Sequence, residues 1–188
     1  MKKSLKLMLA IIISISVLIS NWLIVNATEN QTDTQTDTHD YGYYTSDVDL
    51  DNWTYLNAPY FTPTASAVYA WNHPPAPAII QITPDTSSVN KVYAASLPVG
   101  IGGAWLYQAV GGPPHHQVTQ FTITINTYYG TQSSNFIQSL SCHEIGHALG
   151  LADDSSQQWS IMNQNRNRET VYTPFVSDCY GLQYIWGM

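Results

Sequence analysis

Positive charge is nearly missing from this chain. Six lysines and arginines stand against thirteen aspartates and glutamates in 188 residues, a formal charge of −7. Three of the six, Lys2, Lys3 and Lys6, crowd the start, so beyond residue 27 only Lys91, Arg166 and Arg168 remain and the formal charge of that part is −10. Binding nucleic acid requires a basic face to neutralise phosphates, and three residues cannot build one. Cysteine is equally scarce. Cys142 and Cys179 are the only two, neither in a CxxC nor a lipobox-like setting, which argues against redox catalysis and lipidation. With no cysteine ahead of Cys142, no N-terminal thiol is available to block a metal site. No internal repeat is visible.

What is present begins with "MKKSLKLMLAIIISISVLISNWLIVNA", lysines followed by an apolar run and small residues. This reads as a secretory signal over residues 1–27, cleaved after Ala27. An uncleaved anchor is the rival reading, opposed by Ser14, Ser16, Ser20 and Asn21 within the run. Residues 28–42, "TENQTDTQTDTHDYG", are polar and read as a disordered lead-in. The remaining residues 43–188 suffice for one domain with a real core. In a secreted chain two cysteines favour a Cys142–Cys179 disulfide, which would close a loop of about 38 residues worth roughly 4 kcal/mol.

Periodicity predicts an α+β domain. "TASAVYAWN" places Ala67, Val68, Ala70 and Trp71 on one helical face. Strands are expected at "PAPAIIQITP", "NKVYAASLP", "GAWLYQAV" and "QFTITINTYY", the last alternating Phe121, Ile123 and Ile125 with polar residues. Ser133 or Ser134 then caps a helix running to Gly150, and Ser177 or Asp178 caps a last short one.

The chemistry is concentrated in "SCHEIGHALGLADD", residues 141–154. His143 and His147 are one helical turn apart, so their imidazoles leave the same face about 6 Å apart along the axis. That spacing suits one tetrahedral zinc, and Glu144 beside it can reach a water on the metal. Zinc lowers the pKa of such a water toward ~7, and Glu144 would take its proton and pass it to the leaving amine. Chance alone yields the five-residue pattern in on the order of one chain in a few hundred, so context decides.

That context, "HEIGHALGLADD", is similar to the extended HExxHxxGxxH signature of the metzincin zinc peptidases, with Asp in place of the final His. "WSIMNQ" resembles their Met-turn, which would put Met162 under the histidines. "SDCYGLQYIWG" and "FTITINT" resemble the C-terminal helix and the strand before the active-site helix in matrixin-type members. An aspartate as third ligand resembles the snapalysin group of small secreted proteases. Counting from Gly150 selects Asp153; counting back from Met162 selects Asp154. Asp153 is preferred because the helix exit constrains geometry more than a variable loop does, and Asp154 would orient a histidine or face water. The resemblance implies a mixed twisted sheet, an active-site helix, one catalytic zinc, and a peptide or protein substrate paired along an edge strand, here "GAWLYQ". A pocket walled by "ETVYTPF" would receive the side chain after the cut bond.

Other candidates are weaker. His115 and His116 lie on a Pro-Gly loop, and His39 and His73 have no partner pattern. Asp47, Asp49 and Asp51 are a poor calcium set, lacking the glycine and glutamate of a known loop. Tyr172 or Tyr180 can be imagined assisting an oxyanion. The expectation is a monomeric, extracellular zinc endopeptidase with no stable membrane association once the signal is cleaved. Its rivals are a catalytically silent binding module on the same fold and a hydrolase of cell-wall peptides.

Overall fold

The computed structural model describes residues 23–25, 41–42, 47–75, 81–110 and 116–186. Most of the expected signal and lead-in, with His39 and His115, lies outside the described residues. Seven strands and three helices follow in the order β1 (Leu23–Val25), β2 (Tyr41–Gly42), β3 (Asp47–Leu50), α1 (Phe61–Asn72), β4 (Gln81–Pro84), β5 (Lys91–Ala95), β6 (Gly103–Val110), β7 (His116–Asn126), α2 (Ser134–Ala148) and α3 (Val176–Trp186). A single 3-10 turn, Thr127–Tyr129, separates β7 from α2. Among the described residues no helix is long and apolar enough to cross a membrane.

The sheet is mixed, and β7 organises it. β6 runs antiparallel to β7, with Trp105 opposite Ile123, while β5 and β2 run parallel to it. The period-two pattern explains this central place: Phe121, Ile123 and Ile125 are all buried, and Ile123 and Ile125 have no exposed surface. β3 and β4 form a parallel pair, joined to β5 through the Asp51–Lys91 bridge. On its far side β6 meets only the three residues of β1, Leu23 opposite Tyr107 and Val25 opposite Trp105. The strand expected at an edge is therefore covered there by the end of the stretch read as a signal.

Helices α1 and α2 pack against each other and the sheet. α1 buries Ala67, Val68, Ala70 and Trp71, the face the spacing predicts, and Trp71 Nε1 donates to the Cys142 carbonyl at 2.9 Å. Thr64 and Ser141 hydroxyls meet across the same contact at 2.9 Å. Ser133 is the N-cap of α2, its hydroxyl accepting from Phe136 N at 3.1 Å. α3 starts earlier than expected: Phe175 N donates to the Asp178 carboxylate at 2.7 Å, so Asp178 sits in the first turn rather than at the cap.

One expectation is corrected here. No disulfide joins Cys142 and Cys179; both thiols are buried, and Cys179 Sγ lies 3.3 Å from the Phe175 carbonyl, where it donates within the first turn of α3. In the acidic run at β3, Asp49 and Asp51 part ways. Asp51 is fully buried, pairs with Lys91 at 3.4 Å and accepts from Trp53 N and Thr54 N, while Asp49 is exposed.

A candidate metal centre at the end of α2

The exit from α2 builds the site. Gly150 has φ of +104°, a conformation that side chains with a Cβ rarely adopt. Gly150 N donates to His147 O at 3.0 Å and Leu151 N to Gly146 O at 3.0 Å, the paired bonds of a Schellman ending. This turn brings Leu151 O within 2.8 Å of His147 Nδ1 and carries Asp153 back over the helix. Gly150→Ala should therefore lower stability by ~1–3 kcal/mol, read as a reduced urea midpoint with unchanged slope.

His143 and His147 are both buried. His143 Nδ1 lies 2.9 Å from Ile161 O, so each ring donates its Nδ1–H to a backbone carbonyl, an assignment made from these partners. Arg166 Nη1 also lies 3.2 Å from His143 Nδ1, but a donor cannot serve a donor, and Nη1 donates instead to Asn163 O at 2.9 Å. In neutral rings with Nδ1 protonated, both Nε2 atoms present lone pairs. They lie 3.1 Å apart, and Asp153 Oδ1 is 3.3 Å from one and 3.7 Å from the other. Tetrahedral zinc with bonds of about 2.0–2.1 Å requires donors about 3.3 Å apart, so the set fits that ion. Asp153 Oδ1 is buried without a hydrogen-bond partner, while Oδ2 accepts from Gln164 at 2.7 Å. The three side chains form the group of His, Cys, Asp and Glu that can hold a metal ion among the described residues.

Asp154 turns away. Its Oδ1 accepts from Ser156 N at 2.8 Å and Ser156 Oγ at 2.6 Å, and its own N–H donates to Met162 O at 3.1 Å, tying the loop to the turn below. Met162 is buried beneath α2, where a Cβ added to Gly146 would meet its Sδ. The turn that carries it is held by fully buried Asp178, which accepts from Ser160 Oγ at 2.5 Å and Ile161 N at 3.0 Å. One relay thus runs from α3 through Asp178 and Ile161 to the His143 ring. On the other side Trp105 of β6 stacks against His147, with centroids 6.2 Å apart.

Glu144 is buried beside the group and faces Gly103, where an added Cβ would come within 2.6 Å of Oε1. Burial first, and the negative charge of Asp153 second, push its carboxyl up to about 8, against the pull of Arg166 and Arg168. Burial lowers both histidines, with Arg166 adding to the effect at His143; His147 falls to about 4, its next cause being the charge on His143. Unfolded imidazoles take up protons near 6.5. Between pH 6.5 and about 4 the unfolded chain therefore binds more protons, so this contribution is complete above 6.5 and lost as pH falls. With chelator present, the histidines should lower the melting temperature across this window, against Glu144, whose carboxyl, raised from 4.5 to about 8, favours the fold as pH falls. A His143→Gln, His147→Gln double variant should show a shallower drop.

A cavity of about 410 Å³ opens beside Glu144 and His143, bounded by Gly100–Gly103, Leu140 and the segment from Gln164 to Arg168. The expected wall "ETVYTPF" does not contribute; its Thr173, Pro174 and Phe175 line a separate cleft against α1. Tyr172 and Tyr180 do not line the cavity beside Glu144 either. His73 stacks on Tyr69 at 4.0 Å, far along α1.

Sequence reasoning missed Asp178, Gln164, Arg166, Arg168 and Asn126. Asn126 is fully buried: its Oδ1 accepts from Leu97 N at 3.0 Å, and its Nδ2 donates to Ile101 O at 2.7 Å. It thereby holds the loop that ends at Gly103. The one available signal was a lone polar residue closing the apolar alternation of β7.

These features define a candidate metal centre on an α+β domain with a mixed sheet and three helices. No family model matches the chain, and no curated protein matches it. Among solved structures it is similar to a chain of the GM1-bound form of the ECX AB5 holotoxin, at 16% identity and a TM-score of 0.47, over 80% of this chain and 86% of that one. Likeness of that degree transfers no activity.

Proposed function

We propose that this chain is a secreted zinc endopeptidase of metzincin type, with His143, His147 and Asp153 as ligands and an aspartate third ligand as in the snapalysin group. The observation that carries the reading is the convergence of three buried donor atoms, all within 4.8 Å of one another, with both Nδ1 atoms held by backbone carbonyls. When bound, zinc supplies Lewis acidity toward a scissile carbonyl and acidifies water. Glu144 is the general base. Burial and the Asp153 charge raise its carboxyl; with a dication held by His143, His147 and Asp153 that rise would be offset, and Glu144 would take the proton of the attacking water at neutral pH. The same carboxyl then returns that proton to the departing amine. Gln164 keeps Oδ2 of Asp153 occupied, so that Oδ1 stays turned toward the imidazoles.

Substrate would lie along β6. Removal of residues 1–27 takes β1 with it and leaves the outer edge of β6 open to an extended peptide, which gains main-chain hydrogen bonds there. Burying one segment of signal against that edge also keeps it covered before cleavage.

The test is metal analysis of the purified protein together with casein digestion, with and without a chelator. One zinc per chain and chelator-sensitive cleavage are expected. A folded protein that takes up no zinc would refute the reading, and stoichiometric zinc with no cleavage of any peptide library would instead identify a binding module.

A further inference from the structure

We infer that Arg168 selects substrates bearing a carboxylate next to the bond that is cut; this rests on the peptidase reading and names its substrate class. Only three basic residues follow position 27, and two of them, Arg166 and Arg168, border the cavity that opens on Glu144 and His143. The third, Lys91, is paired with Asp51. Among the described residues no carboxylate forms an ion pair with either arginine. Both feel the charge of Glu144, yet neither is ion-paired, and in so acidic a chain two such cations beside one cavity need a reason.

The two arginines differ in what they already hold. Arg166 is buried and its guanidinium is engaged: Nε donates to Ser139 Oγ at 2.9 Å, Nη2 to Ser139 O at 2.8 Å and Nη1 to Asn163 O. It braces the turn against α2 and has little left for a ligand. Arg168 is half-buried, its Cζ 5.5 Å from the Phe136 ring centre, and Nη2 donates to Gln164 O at a long 3.2 Å. Its Nε is buried with no hydrogen-bond partner. A guanidinium offers two parallel N–H groups that match a carboxylate, and a buried donor left unmade is costly. Gly102 and Gly103 also border the cavity, and they lie so close to Leu140 and Glu144 that a Cβ at either would run into them, so glycine lets this wall sit tight against α2. A carboxylate entering there meets Arg168 at the cavity wall.

Two sources share this chemistry: an Asp or Glu side chain following the cut bond, and a free C-terminus. A rival role for Arg168 is to act on Glu144 alone, which would change the rate for all substrates equally.

The experiment uses peptides with Glu or Gln after the scissile bond, each with a free or amidated C-terminus, against the zinc-loaded wild type, Arg168→Met, Arg168→Lys and Arg168→Glu. Wild type should favour the carboxylate-bearing member by about tenfold to a hundredfold in kcat/KM. Arg168→Met should abolish the preference, Arg168→Lys should restore part of it and Arg168→Glu should reverse it. Preference for Glu over Gln assigns the side chain; preference for acid over amide assigns the terminus. Calorimetric Kd values for the same peptides on the zinc-loaded Glu144→Gln chain read the preference without turnover. Binding that discriminates without cleavage by wild type would sink the peptidase reading and keep this one. Equal handling of all pairs by wild type, or equal losses across them in Arg168→Met, overturns it.

Discussion

Glu144→Gln is expected to lower kcat about a thousandfold while the zinc content stays at one per chain. General base catalysis contributes 10²–10⁴-fold, and Gln can neither accept the proton of water nor return it to the amine. The zinc is retained because the three converging donor atoms belong to other residues. Stability should not suffer. Burial disfavours the charged carboxylate strongly enough to raise it to about 8, so the protein without metal gains little from the ionised form, and an uncharged side chain of the same shape fits the same space. The checks are steady-state kinetics, metal analysis and a melting curve on one preparation. A variant with near-normal kcat would remove Glu144 from the mechanism, and a variant that lost its zinc would make it a ligand.

Asp153→Ala is expected to weaken zinc binding by more than ~100-fold and to abolish activity at ordinary metal concentrations. Loss of a residue that merely supports a ligand already costs 10–100-fold, and Asp153 Oδ1 sits among the donors themselves, 3.3 Å from His143 Nε2. Removing it also strips Gln164 of its acceptor. Asp154→Ala provides the contrast. It leaves zinc affinity unchanged and destabilises the chain by ~1–3 kcal/mol, because its carboxylate holds Ser156 and not the centre. Competition with a chromogenic chelator measures both affinities. The opposite ranking would mean that the loop rearranges on metal uptake.

The two aspartates show how much of the site could be read without a structure. Counting from Gly150 reaches Asp153 because a Schellman ending has one geometry, set within five residues. Counting back from Met162 reaches Asp154 because that path crosses a loop whose length carries no geometric rule. The alternation of Phe121, Ile123 and Ile125 predicted β7 in the same way, by a period that the pleat imposes on every half-buried strand. Asp178, Arg166 and Asn126 were not legible. Each is a polar residue whose role depends on partners distant in sequence: Asp178 on Ile161, Arg166 on Ser139, Asn126 on Ile101. The cysteine pair misled for the opposite reason. An even count states that a bridge is chemically available, but not whether the thiols already have other neighbours.

Local sequence by itself determined that two imidazoles and a glutamate leave one turn of helix, and that the chain turns back sharply after them. Helical periodicity and the absence of a Cβ at Gly150 suffice for that. Only the tertiary structure decided which carboxylate meets the imidazoles, which ring nitrogens face the centre, and that an arginine with an unused donor borders the cavity. Those outcomes depend on long-range contacts and on exclusion of water, and neither is a property of any short stretch of chain.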